Sequence, residues 1–299
     1  MTNTAKMTLP KLMDAFDTDA ECRQILEELR WPNGVCCLRC GSVSISRSKT
    51  RKQFDCNDCR YRFSVTTGTV FNDSHLALPK WFMAVLLMCE AKKGISANQM
   101  KRTLGVAHKT AWYLCHRIRE AMSTAKPAKL SGDVECDETY IGGKLSHDKS
   151  RNYRANKAVV LGALERDGRI VLTKGRDSSH YEIRRFVWNT VSDSASRLIT
   201  DEHSAYRGIM DEDTIHETVN HSRKEYVRGD VHTNSIEGAF GLFKRGLVGS
   251  FHQVSHKHLD RYLDEFEFKY NNRKNAFLFR ETLTRLITTK PLQYDRLTA

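Results

Sequence analysis

Long apolar runs are missing from this 299-residue chain. The longest, such as Trp81 to Cys89, fall well short of the roughly eighteen residues that a membrane-spanning helix requires, so no transmembrane segment is expected. The stretch Met1 to Leu12 lacks an apolar core followed by a small-residue cleavage site. It does not read as a secretory leader, and a cytoplasmic, nucleoid-associated location is expected. Internal repeats and long low-complexity tracts are also lacking, which sets aside repeat architectures. Acidic charge is in short supply, with 36 Asp and Glu against 48 Lys and Arg, a net charge of +12 and a pI near 9.3. That balance favours nucleic acid or another polyanion as partner. Nine cysteines, an odd number without an export signal, argue for thiols or metal ligands rather than disulfides.

The remaining composition, 28% charged and 40% hydrophobic, is that of a folded globular chain long enough for two or three domains. Its charge is uneven. From Met1 to Leu130, 21 Lys and Arg face 11 Asp and Glu, whereas the rest carries 27 against 25. A basic front suits a polyanion, and the balanced rear leaves carboxylates for other work.

Apolar spacing predicts short helices from about Thr8 to Leu29, and Pro32 and Gly34 then break the pattern. Alternating β-formers in Arg51 to Asp55 and Tyr61 to Val65 predict a small β module. Helices follow from Pro79 to about Lys93, from the cap pair Ser96 and Gln99 to Leu104, and over His108 to Met122. Three helices with glycine-containing turns make a helix-turn-helix. After a linker at Ser123 to Gly132, strands are expected at Val134 to Ile141, Ala158 to Glu165, Ile170 to Lys174 and Arg197 to Thr200. Helices are expected near His180 to Val191, Asn234 to Val248 and Ser255 to Asn271. The expected domains are a helical segment (1–34), a cysteine module (35–72), the helix-turn-helix (78–123), an α/β domain (131–275) and a tail (276–299).

Cys37, Cys40, Cys56 and Cys59 form two C-x2-C pairs separated by fifteen residues, a spacing that brings four thiolates onto one zinc ion from two turns. Four thiolates leave no open position for a reacting water, so the zinc would be structural. Cys36 offers a looser pairing with Cys40. On the helix-turn-helix, Lys101, Arg102, His108, Lys109, Arg117 and Arg119 are candidates for DNA contact, against the blander alternative of a solvated charged face.

Asp137 lies in a β-rich stretch whose alternation places Glu135, Asp137 and Thr139 on one face. Asp201 follows the apolar run Leu198-Ile199-Thr200, at a strand end, where a carboxylate is placed to hold a metal ion over a crevice. Glu237 opens a helix whose apolar stripe is Ile236, Phe240, Phe243 and Leu247, with Lys244 on the same neighbouring face and Asn234 one turn earlier.

These blocks resemble the zinc-ribbon DDE transposases of small bacterial insertion sequences. The similarity rests on the paired cysteines, Asp137 through Lys144, Thr200 to His203, His232 through Gly246, Leu263 to Phe266 and Tyr270 to Arg273, so it runs from about Pro32 to Arg273. The 35 residues between Asp201 and Glu237 match the spacing many such recombinases show, and Lys244 falls where they place a basic residue. The resemblance implies an RNase H-like mixed-sheet α/β catalytic domain, preceded by a zinc ribbon and the helix-turn-helix. It implies Asp137, Asp201 and Glu237 as holders of two magnesium ions, for which manganese can substitute, with Lys244 on a phosphate. Family members differ in the third acid, so Asn234 remains the alternative to Glu237.

On this resemblance the chain would bind the ends of an element, cut a strand with water, and use the freed 3′ hydroxyl to attack target DNA. Joining two ends implies a homodimer or larger assembly on double-stranded DNA. Two other readings stay open: a DNA-binding regulator with an inactive catalytic domain, and an RNase H-like nuclease that cuts without joining.

Overall fold

The computed structural model describes residues 6–48, 51–123, 127–142, 157–209, 214–223 and 225–299. Gly143 and Lys144 of the first acidic block, and part of the expected linker, lie outside them. The chain divides into two compact units, residues 1–122 with 274–299, and residues 123–273.

The first unit opens with α1 (Leu9–Ala15) and α2 (Asp19–Arg30). A reciprocal capping box starts α2: the Glu21 amide donates to Thr18 Oγ1 (3.3 Å) and the Thr18 amide to Glu21 Oε2 (2.9 Å). The strands β1 (Ile45–Arg47), β2 (Phe54–Cys56) and β3 (Arg62–Phe63) make a small antiparallel sheet in that order. Its core is aromatic, with Phe54 and Phe63 buried against Trp31. Next come α3 (Leu78–Glu90), α4 (Ala97–Leu104) and α5 (His108–Met122). The Ser96 hydroxyl accepts the Gln99 amide at 3.1 Å to start α4, and Gly105, at φ +62°, ends it in the left-handed conformation that glycine adopts without strain.

Residues 276–299, expected as a tail, instead carry α9 (Leu278–Thr288) and α10 (Tyr294–Thr298) and pack within this unit. Phe279, Leu283, Leu286 and Ile287 form a helical stripe that is buried as α9 packs on α2, α3 and α5. Phe279 meets Phe82 edge-on, and Cys89 Sγ lies 3.3 Å from Thr282 Oγ1.

The second unit is built on a five-stranded mixed sheet. Its strands are β4 (Leu130–Ile141), β5 (Ala158–Glu165), β6 (Ile170–Gly175), β7 (Val191–Asp201) and β8 (Ile215–Val219), in the order β6-β5-β4-β7-β8. The first three form an antiparallel meander, while β7 runs parallel to both β4 and β8. This is the RNase H-like arrangement. β7 begins six residues before the expected start, and β8 had no expectation at all.

Side-chain alternation sends Val134 and Cys136 of β4 to one face, where α6 (His180–Thr190) covers them with Ile183 and Val187. The other face receives α7 (Asn234–Gly246), which runs into one π turn at Leu247–Phe251, and α8 (Leu259–Asn271). Ile236, Phe240, Phe243, Leu263 and Phe266 fill that layer. Gly162 on β5 lets α7 come down, because a Cβ there would stand 2.6 Å from Phe240 Cζ and 3.0 Å from Ile236 Cδ1.

The outer edge of β6 does not face solvent unpaired. Asn271 of α8 accepts the Ile170 amide (2.7 Å) and donates to the Ile170 carbonyl (2.9 Å), and Glu267 accepts the Leu172 amide (2.9 Å).

Candidate active site and metal-binding cysteines

The turns beside β1–β3 bring Cys37, Cys40, Cys56 and Cys59 together, with one ligand atom of each within 4.8 Å of all the others. Cys37 and Cys59 sulfurs are 3.5 Å apart, and those of Cys40 and Cys56 3.6 Å. A tetrahedral zinc with bonds of about 2.3 Å needs sulfur–sulfur edges of about 3.8 Å, close to these two distances, so the four thiols could hold the ion. The Arg39 amide points at Cys37 Sγ (3.4 Å) and the Cys59 amide at Cys56 Sγ (3.5 Å), donors suited to thiolate charge. Cys36 stands outside the cluster.

The acidic residues meet in the second unit. In the β4–β7 ladder Glu135 stands opposite Ile199, and Asp137 and Asp201 each lie two residues further along their strands. α7 crosses β4 and β5 and carries Glu237 in its first turn. One oxygen of each carboxylate is held: Asp137 Oδ1 by the Glu138 amide (2.8 Å), Asp201 Oδ1 by the His203 amide (3.0 Å), and Glu237 Oε1 by the Thr233 hydroxyl (2.8 Å).

Burial pushes the Asp137 carboxyl up to about 8, and the charges of Glu138, Asp201 and Glu237 push in the same direction against the Glu138 amide bond. Burial also raises Glu138, opposed by the Tyr206 hydroxyl that donates to it at 2.9 Å and by His203, whose Nδ1 is 3.9 Å away. Asp137 and Asp201 are half-buried and Glu237 is exposed, and their oxygens are the hard donors a divalent cation takes, although among the described residues it is the four cysteines, not these acids, that stand within ligand distance of one another.

Residues 129–271 match the ISXO2-like transposase domain and residues 17–62 a transposase zinc-ribbon domain. The chain is also 30% identical over 274 residues to the "Uncharacterized protein in transposable element ISH50" of Halobacterium salinarum, covering 85% of this chain and 91% of that protein. The chain belongs to the ISXO2-like zinc-ribbon transposases.

Within this transposase chain the structure groups Asp137, Asp201 and Glu237 electrostatically. Asn234 and Lys244 are exposed on the same helix as Glu237. Lys101, Arg102, His108 and Lys109 are exposed around the α4–α5 turn, with Lys109 Nζ 4.4 Å above the Tyr294 ring. Arg117 and Arg119 differ from expectation because both are buried. The Arg117 guanidinium bonds the carbonyls of Val70 and Asn72 (2.6 Å to the latter) and lies over the Trp81 and Tyr113 rings, so it is a packing residue of the first unit rather than a phosphate contact.

Glu138, His203 and Tyr206 border the acids, and none of them was expected at the site. Glu138 had a signal, adjacency to Asp137, but strict alternation put it on the opposite face. Tyr206 had none, since it arrives from a loop after β7. No helix among the described residues is long and apolar enough to cross a membrane.

Proposed function

We propose that this chain is an insertion-sequence transposase that binds element ends, cleaves DNA strands there and transfers the freed 3′ hydroxyls into target DNA. The observation that supports the reading is that Asp137 and Asp201 each lie two residues beyond the paired Glu135 and Ile199 of neighbouring parallel strands, and that the charge of Glu237, in the first turn of α7, adds to theirs at Asp137.

Asp137, Asp201 and Glu237 would hold two magnesium ions, and magnesium when bound activates an oxygen nucleophile and neutralises charge at the phosphate. The chain's own contribution is to fix the three carboxylates through the amides of Glu138 and His203 and the Thr233 hydroxyl. Lys244, exposed two turns beyond Glu237, supplies a point charge for a phosphate oxygen. Asn234, an amide without charge, orients a neighbour or a water rather than serving as third ligand.

Exposed Lys101, Arg102, His108 and Lys109, with the zinc ribbon, form the end-binding surface. Two copies of the chain bring two ends together.

Strand transfer by purified variants in magnesium tests the reading, beside a DNA-binding assay that controls for folding. Glu237→Gln, Asp137→Asn and Asp201→Asn are expected to lose cleavage and joining while binding persists, and Asn234→Ala to be milder. If Glu237→Gln joins near the wild-type rate and Asn234→Ala does not, the third position belongs to Asn234. Fragments without joined product would instead mark a nuclease.

A further inference from the structure

The start of α7 lacks the cap that its own sequence offers. Thr233, the N-cap residue, makes no side-chain cap bond, and its hydroxyl is turned to Glu237 instead. Two of the first-turn amides are nonetheless satisfied from elsewhere. Glu135, a hundred residues earlier on β4 and 0% exposed, accepts the amides of Ser235 (2.8 Å) and Ile236 (3.0 Å) on Oε2. Its Oε1 takes Arg166 Nε at 3.0 Å and lies 3.4 Å from His232 Nδ1. Arg166 then donates through Nη2 to the His232 carbonyl (3.1 Å), tying down the chain that leads into the helix.

We propose that Glu135 is a positioning residue for the acidic centre: it clamps the first turn of α7 to β4, so that one strand sets the separation of Asp137 and Glu237. The proposal rests on Glu237 being the third metal ligand. Glu135 stands two residues before Asp137 on the same face of β4, and Glu237 follows directly after the clamped Ile236 amide. Sinking a carboxylate fully into the protein costs several kcal/mol before pairing, and a serine or threonine cap would satisfy the same amides locally. The long-range cap does what a local one cannot. It adds a negative charge at the positive end of the helix, releases the Thr233 hydroxyl to hold Glu237, and ties the helix to the strand that bears Asp137.

Manganese affinity, read directly by calorimetry on the full-length, zinc-loaded chain, tests the clamp together with thermal melting and end binding. Glu135→Gln keeps the size but offers an amide where two acceptor oxygens stood. It is expected to remain folded, to bind ends within about twofold, and to bind manganese about 10- to 100-fold more weakly, the range for a residue that orients a ligand. Because Glu135 acts through Glu237, the double variant with Glu237→Gln should bind manganese no more weakly than Glu237→Gln alone. Wild-type affinity in folded Glu135→Gln, or additive losses in the double variant, would overturn the proposal. Should Glu135→Gln fail to fold, Arg166→Lys keeps the charge but drops the bond to the His232 carbonyl. It should weaken manganese binding by about threefold or more, and an unchanged affinity there overturns the clamp equally. If Glu237→Gln itself binds manganese as the wild type does, the ligand assignment fails; if it loses binding while Glu135→Gln does not, only the clamp fails.

Discussion

Asp137 is raised to about 8 from an ordinary 3.8 because burial and three neighbouring acids oppose its charge. A carboxyl whose folded-state value lies above the unfolded one stabilises the fold fully below about pH 4, and that contribution is lost as pH rises through about 8. Magnesium-free protein is therefore expected to melt at progressively lower temperature across this window. Added magnesium should restore the loss, and more strongly at pH 8 than at pH 5, because the ion displaces a proton. Melting curves in zinc-replete buffer with and without magnesium check this, and an equal shift at all pH values would count against it. At the same scale, Arg117 and Lys101 separate packing from recognition. Arg117→Ala, which strips two carbonyl bonds and a stack on Trp81, should cost about 2–4 kcal/mol of stability. Lys101→Ala should leave the melting temperature within about a degree yet weaken end binding and flatten its salt dependence.

Among elements, α7 matters most, since it carries Glu237, Asn234 and Lys244 on a seat made by Gly162. Gly162→Ala would press a methyl against the Phe240 ring, whose nearest atoms stand 2.6 and 2.9 Å from the added carbon. The helix must lift, at a cost of about 1–3 kcal/mol. Cleavage should slow well beyond what the loss of stability explains, with end binding unchanged; a kinetic assay on protein shown to be folded decides it. The zinc ribbon is the opposite case. Its three strands comprise only eight residues around a small aromatic core of Trp31, Phe54 and Phe63, so a zinc ion on the four cysteines would supply much of its stability. Cys40→Ser should abolish zinc uptake by metal analysis and weaken end binding, while the manganese affinity of the acidic centre persists. Freshly purified wild-type chain without zinc would contradict this.

At the scale of the molecule, the last 26 residues belong to the first unit, across an intervening unit of 151 residues. Burying Phe279, Leu283, Leu286 and Ile287 contributes about 6–12 kcal/mol before entropy, comparable with the whole net stability of a domain. A fragment ending at Lys129 keeps the zinc ribbon and α3–α5 but leaves the seat of α9 bare. It should be poorly soluble and bind ends weakly. The same fragment joined through a flexible linker to residues 274–299 should melt cooperatively and recover binding, as calorimetry and gel shift would show.

The motifs on which the proposed function rests could be picked out in the sequence because each is local. The paired cysteines need only two turns, the basic turn of α4 and α5 only helical spacing, and Asp137, Asp201 and Glu237 announce themselves by the residues on either side. Strands β4–β6 and the helix His108–Met122 were legible for the same reason, since period and caps act within a few residues. Strand β8, with an alternation too weak to mark it, became a strand by pairing with β7. Arg117 and Arg119 read as surface charge, and only packing showed their guanidinium groups turned inward. The α9 stripe was present in the sequence, but no local rule assigns it to a core built more than 150 residues earlier. Glu135 shows most clearly what tertiary structure alone decided: a carboxylate reads the same whether it faces water, a metal ion or a helix end. Its partners, Arg166, His232 and the first-turn amides of α7, are assembled only when the sheet closes.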